Sequence, residues 1–211
     1  MSDRDQHLDP AQVTVVVAMG VEARPVRRRA PGLRLVRAGI GLATLDRARL
    51  TTDVVFSVGL AGGLAPELAS GTVVIPAQVA REDGTLIPCD AAWCTALVTA
   101  SRRLGYPTVT LPLLSADGLV TGAGRALWAG RGFAAVDMET ALLAGMVPRV
   151  AAVRVVMDTP AREISPAWEH PGRAVLDPRN WREGAWIARA APRYSMRAAR
   201  VLAAAIEAAA E

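Results

Sequence analysis

Residues 12–19 read Gln-Val-Thr-Val-Val-Val-Ala-Met, a short run in which β-branched side chains predominate. Because apolar residues follow one another without polar alternation, the run predicts a strand buried on both faces in the middle of a sheet. Further runs of the same character are bounded by Gly, Pro or acidic residues and predict more core strands. They lie at residues 33–37, 53–58, 72–79, 109–114 and 150–157.

Helical patterns separate these strands, over residues 42–51, 91–104, 124–131 and 138–146. An alanine-rich stretch at 196–209 predicts a last helix, which packs on the sheet through Val201, Leu202 and Ile206. Strands that alternate with helices indicate parallel βα units. We therefore expect an α/β fold in which helices cover both faces of a central sheet.

The domain organisation follows from length and from the distribution of Pro and Trp. The chain has 211 residues without a linker or an internal repeat, so we expect one domain over residues 1–211. Residues 1–11 are polar and mixed in charge, which indicates a flexible start. Residues 159–186 hold four prolines and three tryptophans with little periodicity, which predicts a long loop or lid.

Composition excludes several function classes. Hydrophobic residues make up 52% of the chain, but no uncharged apolar run approaches the roughly 18 residues of a membrane span, so we expect no membrane insertion. The amino terminus lacks the apolar stretch of a secretory signal, which favours the cytoplasm. A net charge of +4 spread over arginines, with 4% aromatic residues, argues against nucleic-acid binding. His7 and His170 are isolated and indicate no metal site, and no cofactor is implied.

Ligands in open α/β sheets bind beyond the carboxyl ends of strands, and several acidic residues follow the predicted strands. Glu22 comes after the first strand, Glu139 follows a short apolar run, and Asp158 ends the last strand. Each could equally be a helix cap or a solvated surface acid. The glycine-rich stretch after the third strand has the same ambiguity, because a tight turn needs glycine as much as a close ligand does.

These segments together resemble the ordered motifs of the purine nucleoside phosphorylase and methylthioadenosine/adenosylhomocysteine nucleosidase superfamily. The resemblance covers about residues 12–160 and implies a three-layer nucleoside phosphorylase-like fold with a mixed, mostly parallel sheet. The matching segments are Ala18-Met-Gly-Val-Glu22, Ala38-Gly-Ile-Gly41, Ser57-Val-Gly-Leu-Ala-Gly-Gly-Leu-Ala-Pro, Gly71-Thr-Val-Val, Ser115-Ala-Asp117, Val136-Asp-Met-Glu-Thr140 and Val153-Arg-Val-Val-Met-Asp158.

The resemblance implies a role for each matching residue. Met138 and Glu139 bind ribose, and Asp158 is the catalytic residue that gives a proton or a hydrogen bond to purine N7. By position, Leu119 and Val120 contact the base, although the family's aromatic residue is missing there. The implied activity is cleavage of the N-glycosidic bond of a purine nucleoside such as an adenine nucleoside.

The nucleophile stays open at this stage. Gly20, Arg24 and Gly59 match positions that bind phosphate in phosphorylases, whereas Glu22 matches the glutamate that activates water in nucleosidases and is a second catalytic candidate. Two further phosphate positions fall on Ser57 and Leu60, which depart from the family pattern.

The short chain and its Pro-rich tail are most similar to the hopanoid-associated phosphorylases. That similarity favours phosphorolysis of a lipid-linked nucleoside such as adenosylhopane, with inorganic phosphate as co-substrate, by a homo-oligomer. The alternatives are a hydrolytic nucleosidase of the methylthioadenosine/adenosylhomocysteine type and a non-catalytic nucleoside-binding module. A dinucleotide-binding oxidoreductase is disfavoured because GxGxxG is absent after the first strand.

Overall fold

A computed structural model describes residues 12–169 and 171–211. The predicted flexible segment 1–11, His7 and His170 lie outside the described residues. The strands are β1 (Val13–Val17), β2 (Arg34–Arg37), β3 (Val54–Gly63), β4 (Val73–Val74), β5 (Gln78–Arg81), β6 (Leu86–Pro88), β7 (Thr108–Val109), β8 (Leu113–Ser115), β9 (Ala135–Asp137) and β10 (Arg149–Asp158). The helices are α1 (Gly20–Arg29), α2 (Ala91–Arg103), α3 (Ala123–Gly130), α4 (Thr140–Ala144), α5 (Pro171–Ala174) and α6 (Trp181–Ala209).

The strands form one mixed sheet around the long central pair β3 and β10. These two strands run parallel over their whole length. The first half of β3 also pairs in parallel with β1, whereas its last residues, Gly62 and Gly63, pair antiparallel with β9. Most of the remaining pairs are parallel, with β10/β4 and β5/β6 as the antiparallel ones. The predicted mixed, mostly parallel α/β sheet is confirmed.

The core lies between the sheet and the helices α1, α2 and α6. β-branched side chains of β1, β3 and β10 are buried there, as the continuous apolar runs predict. The Phe56 and Trp93 rings meet edge to face with centroids 5.0 Å apart, which joins β3 to α2. Along the described residues, no helix combines the length and the apolar composition needed to cross a bilayer.

Three predicted elements differ from the structure. The helix expected at 42–51 is wrong, because Gly39, Gly41 and Leu42 have positive φ and only two short 3₁₀ turns form in this region. The strands expected at 72–79 and 109–114 are each split. Pro76 lies between β4 and β5, and Pro112 between β7 and β8; a proline has no N–H for the ladder.

The long loop or lid predicted at 159–186 is helical in part. Residues 159–165 have no regular element, but short helical turns follow, and α6 already begins at Trp181. Prolines start turns here rather than exclude them: Pro178 is the first residue of a 3₁₀ turn that the Asp177 side chain caps. Helix α1 was not predicted at all, and the helix expected at 196–209 is the second half of α6.

Candidate active site

A cavity of about 460 Å³ lies where β1, β3 and β10 end at their carboxyl termini. Its volume falls in the range that holds a small organic ligand. Six charged side chains line the cavity, namely Glu22, Arg125, Asp137, Glu139, Arg154 and Asp158. Apolar residues also line it, among them Ile40, Leu60, Met157, Ile164, Trp168 and Ile187. The site therefore combines charged and apolar side chains.

Glu22 lies in the first turn of α1, and its side chain accepts hydrogen bonds from three backbone N–H groups. Its Oε2 accepts hydrogen bonds from Ala18 N at 3.0 Å and Met19 N at 2.9 Å, and its Oε1 accepts one from Leu60 N at 3.0 Å. Burial raises the pKa of Glu22, although Arg154 and the three N–H groups oppose the rise. The carboxyl group is both a helix cap and a fixed hydrogen-bond acceptor at the cavity.

Gly59 allows this arrangement because it has no side chain. A Cβ atom at this position would lie 2.2 Å from Glu22 Oε1 and 2.8 Å from Arg154 Nη1. Both distances are far below a normal van der Waals contact. Glycine is therefore required here because Glu22 and Arg154 approach the backbone closely, and not because the backbone has a positive φ.

Arg154 is a buried cation in the middle of β10, with 2% of its surface exposed. Its Nη2 lies 2.7 Å from Asp137 Oδ2 and 3.3 Å from Glu139 Oε2, and it donates to Ser57 Oγ at 2.6 Å. Burial alone would lower the pKa of Arg154, but the neighbouring carboxylates raise it. The guanidinium group thus stays charged and compensates several buried carboxyl groups.

Glu139 faces the cavity just before α4, and the glycine motif at residues 39–41 holds it from the other side. Gly41 N donates to Glu139 Oε1 at 3.0 Å, while Arg154 approaches Oε2. Burial raises the pKa of Glu139 to about 7, with Arg154 opposing the rise and Asp137 adding to it. The carboxylate is a hydrogen-bond acceptor next to Met138, which also lines the cavity.

Asp158 forms a buried ion pair with Arg125 of α3. Arg125 Nη2 donates to Asp158 Oδ2, and Ile164 N donates to the same oxygen at 3.3 Å. Burial raises the pKa of Asp158, and the Arg125 guanidinium opposes that rise. Arg125 Nε also donates to Val120 O at 2.8 Å, and Leu119 and Val120 both line the cavity.

The structure brings most of the predicted site residues together and leaves three outside the lining. Glu22, Leu119, Val120, Met138, Glu139 and Asp158 all line the cavity. Gly59 lies behind Glu22, and Gly20 belongs to the start of α1. Arg24 is exposed on α1 and, among the described residues, is not part of the lining. Arg24 follows Glu22 by two residues on α1, a spacing that points the two side chains to different faces of the helix, and its phosphate-binding role stays a prediction.

Two arginines of the site were not given a role from the sequence. Arg154 did leave a signal, because a single charged residue inside an apolar buried strand must be paired. Two-residue alternation also places it on the same side of β10 as Val156. Arg125 left none, since an arginine on a short helix is usually exposed.

Comparison with known proteins identifies the family. Residues 34–207 match the model of the phosphorylase superfamily, so the chain belongs to that superfamily. No curated protein matches the sequence.

Solved structures share the fold at low sequence identity. The 5'-methylthioadenosine/S-adenosylhomocysteine nucleosidase from Neisseria meningitidis, in complex with methylthio-immucillin-A, superimposes with a TM-score of 0.74 at 20% identity, over 93% of this chain and 98% of that one. Futalosine hydrolase of Helicobacter pylori gives a TM-score of 0.73 at 14% identity, over 94% and 98% of the two chains. The predicted nucleoside phosphorylase-like fold is confirmed.

Proposed function

We propose that the protein hydrolyses the N-glycosidic bond of a purine nucleoside, with Glu22 as the base that activates water. The observation that carries this proposal is the fixed Glu22 carboxylate beside Arg154 and Glu139 in one cavity. The similar structure from Helicobacter pylori that contains 5'-methylthioadenosine in its active site supports the choice of substrate class.

Water suits the charges of this site better than phosphate does. Arg154 is already compensated by Asp137 and Glu139, and Glu22 adds a further carboxyl group nearby. A phosphate dianion would enter a region in which carboxyl groups outnumber free cations, and Arg24 is exposed on α1. The electrostatics therefore favour hydrolysis over the phosphorolysis that the subfamily resemblance implies.

The proposed reaction assigns a role to three carboxyl groups of the cavity. The oxygen of water bonds to C1′ while its proton passes to Glu22, and the C1′–N9 bond breaks with its electron pair going to the purine. Glu139 accepts hydrogen bonds from the ribose hydroxyls and stabilises the positive charge that develops on the sugar. Asp158, whose pKa is raised by burial, donates a proton to N7, so that the purine leaves as a neutral molecule.

The apolar part of the cavity favours a substrate with an apolar 5′-substituent. Ile164, Trp168 and Ile187 come from the segment 159–169 and from α6, and their apolar side chains line the cavity. A methylthio group fits this description, and so does the lipid of adenosylhopane that the resemblance implies. An adenosine with a charged 5′-group is expected to be a poorer substrate.

The test compares products with and without phosphate. The purified protein is incubated with 5′-methylthioadenosine and adenosine, and free sugar and sugar 1-phosphate are separated by chromatography. We expect free sugar at a rate that does not depend on phosphate, abolished in Glu22→Gln and retained in Arg24→Ala. Sugar 1-phosphate that forms only with phosphate, and is lost in Arg24→Ala, would establish phosphorolysis instead.

If calorimetry shows that the protein binds a nucleoside but no product forms, the protein is a non-catalytic nucleoside-binding module. Size-exclusion chromatography with light scattering tests the predicted homo-oligomer, which a monomer at assay concentration would contradict.

A further inference from the structure

Three large apolar side chains are exposed close together in the chain, just before α6 and in its first residue. Leu176 is 80% exposed, Trp181 62% and Val175 53%, and no other large apolar side chain of the described residues is as exposed as Leu176 or Trp181. We call these three side chains the apolar patch. A single exposed apolar residue is normal on a protein surface, whereas a group of them marks a contact site.

Hydrogen bonds fold residues 173–182 into one compact turn. Trp181 Nε1 donates to Val175 O at 3.0 Å, so the indole ring reaches back to the backbone that carries the other two side chains of the apolar patch. Asn180 Nδ2 donates to Ala174 O at 3.1 Å, and Ala174 itself is buried beneath the turn. The apolar patch is therefore one surface feature on a fixed backbone.

Positive charge surrounds the apolar patch. The turn holds three exposed arginines, which are Arg173, Arg179 and Arg182. Among the described residues none of them forms an ion pair. The one acid of the turn, Asp177, accepts a hydrogen bond from a backbone N–H at 2.9 Å. The next acid, Glu183, accepts hydrogen bonds from Ser165 N and Trp168 Nε1. The positive charge at the patch is thus largely uncompensated.

The surface of an anionic lipid bilayer matches this combination. Tryptophan is favourable at the lipid–water interface, because its ring is apolar and its N–H group is polar. Each arginine near anionic head groups strengthens binding roughly fivefold. Three apolar side chains are far fewer than the roughly 20–30 residues that each side of a stable protein interface contributes. A bilayer, in contrast, needs only a few inserted side chains with cations beside them.

We propose that residues 173–182 dock the protein on an anionic lipid bilayer, with the apolar patch between the head groups and the three arginines on the anionic groups. This surface role goes beyond the proposed hydrolysis and does not depend on it. The first turns of α6 connect the patch to the cavity. A Cβ atom at Gly184 would lie 2.8 Å from the Trp168 ring, and Ile187 follows Trp181 by about 9 Å along the helix axis. Docking therefore brings the bilayer close to two apolar residues that line the cavity.

Co-sedimentation of the protein with lipid vesicles tests the docking. The vesicles consist of phosphatidylcholine alone, or of phosphatidylcholine with about 30% phosphatidylglycerol, in about 0.1 M and about 0.5 M salt. We expect binding to the anionic vesicles only, and weaker binding at the higher salt concentration. The triple variant Arg173→Gln, Arg179→Gln and Arg182→Gln should lower the partition coefficient roughly 100-fold. Leu176→Ser combined with Trp181→Ser should lower it roughly tenfold or more.

The exposed arginines in the last turn of α1 provide the matched control, and they are Arg27, Arg28 and Arg29. Replacing all three with glutamine removes the same charge, but α1 carries no exposed large apolar side chain. Charges farther than about 10 Å from the lipid are screened, so this variant should stay within roughly threefold of the parent. Equal losses in the two triple variants would reduce the binding to net charge and overturn the proposal. A parent protein that binds neither kind of vesicle would also overturn it.

Fluorescence quenching identifies the inserted side chain. Brominated phosphatidylcholine in the anionic vesicles should quench the parent protein, and Trp181→Phe should remove most of the quenching while binding persists. Quenching that is unchanged in Trp181→Phe would contradict insertion of the patch. A dimer in light scattering that Leu176→Ser dissociates, without any vesicle binding, would assign the patch to a second copy of this chain. Cleavage of nucleosides in the absence of lipid should be equal in the parent and these variants. A parent that binds anionic vesicles but cleaves no nucleoside would refute the proposed function alone.

Discussion

Replacing Arg154 with methionine removes the cation that compensates the buried carboxyl groups of the site. Methionine keeps an unbranched side chain in the middle of β10 that is about as long as the aliphatic part of arginine, so the variant loses the charge, the hydrogen bonds and the packing of the guanidinium group. Asp137 and Glu139 lose ion pairs at 2.7 Å and 3.3 Å, and Ser57 Oγ loses a donor at 2.6 Å. The pKa values of the carboxyl groups should rise further as a result.

The expected loss of stability is roughly 3–5 kcal/mol, the range found when one partner of a buried ion pair is removed. That is a large part of the roughly 5–15 kcal/mol by which a domain is stable. Urea unfolding at neutral pH measures it from the transition midpoint at constant slope. Arg149→Met is the matched control on the same strand, because Arg149 is 35% exposed and pairs with Asp90 at 2.7 Å. Its loss should be smaller, about 1–3 kcal/mol, because Asp90 is only 7% exposed but keeps its hydrogen bond from Trp93 N.

A second variant separates charge from packing. In Arg154→Met combined with Glu139→Gln, one uncompensated carboxyl group is replaced by a neutral amide, so part of the lost stability should return. Equal losses in Arg154→Met and Arg149→Met would refute the reasoning. So would a double variant whose loss is the sum of the two single losses, because the two side chains would then not interact.

Three further predictions concern neighbouring groups. Gly59→Ala should lower kcat/KM by roughly 100-fold or more, because its Cβ at 2.2 Å displaces the Glu22 carboxyl. Glu139 has a pKa of about 7, above its ordinary 4.5, so the folded state binds the extra proton between these values and stability falls as pH rises through them. Glu139→Gln should flatten that slope, and in the parent KM should rise below about pH 7 as the ribose acceptor becomes protonated. Glu183 accepts from Ser165 N at 2.8 Å and Trp168 Nε1 at 2.9 Å, so Glu183→Gln should raise KM several-fold by loosening the cavity wall.

Matched variants control for general effects. Gly130→Ala in α3 has no atom within 4 Å of the added Cβ and should be neutral or slightly stabilising. Full activity in Gly59→Ala would contradict the close contact with Glu22. The free energy of unfolding of Glu139→Gln could instead fall between pH 4.5 and 7 as steeply as that of the parent. Other carboxyl groups would then be the cause of the slope. Glu207 lies on the exposed part of α6, so Glu207→Gln should leave KM unchanged. If Glu183→Gln changes KM no more than Glu207→Gln does, Glu183 has no specific role at the cavity wall.

Local sequence was enough to predict the central part of the fold. Buried parallel strands leave continuous apolar runs, so β1 and β10 could be located to within a few residues, whereas the prediction at 53–58 found only the first half of β3, which continues to Gly63. The acids at the ends of these strands could also be selected, because ligands bind at that edge of an open sheet. Local sequence did not give the helix at 20–29, where Pro25 lies inside the helix, or the irregular backbone at 39–42.

Only the tertiary structure decided how the charges of the site are paired. Gly41 and Glu139 are 98 residues apart in the sequence, Arg154 and Ser57 are 97 apart, and Arg125 and Asp158 are 33 apart. Apolar burial is a property of a segment and can be read from its composition. The partner of a buried charge is instead set by which strands and helices meet, so its pKa and its chemistry appear only when the chain is folded.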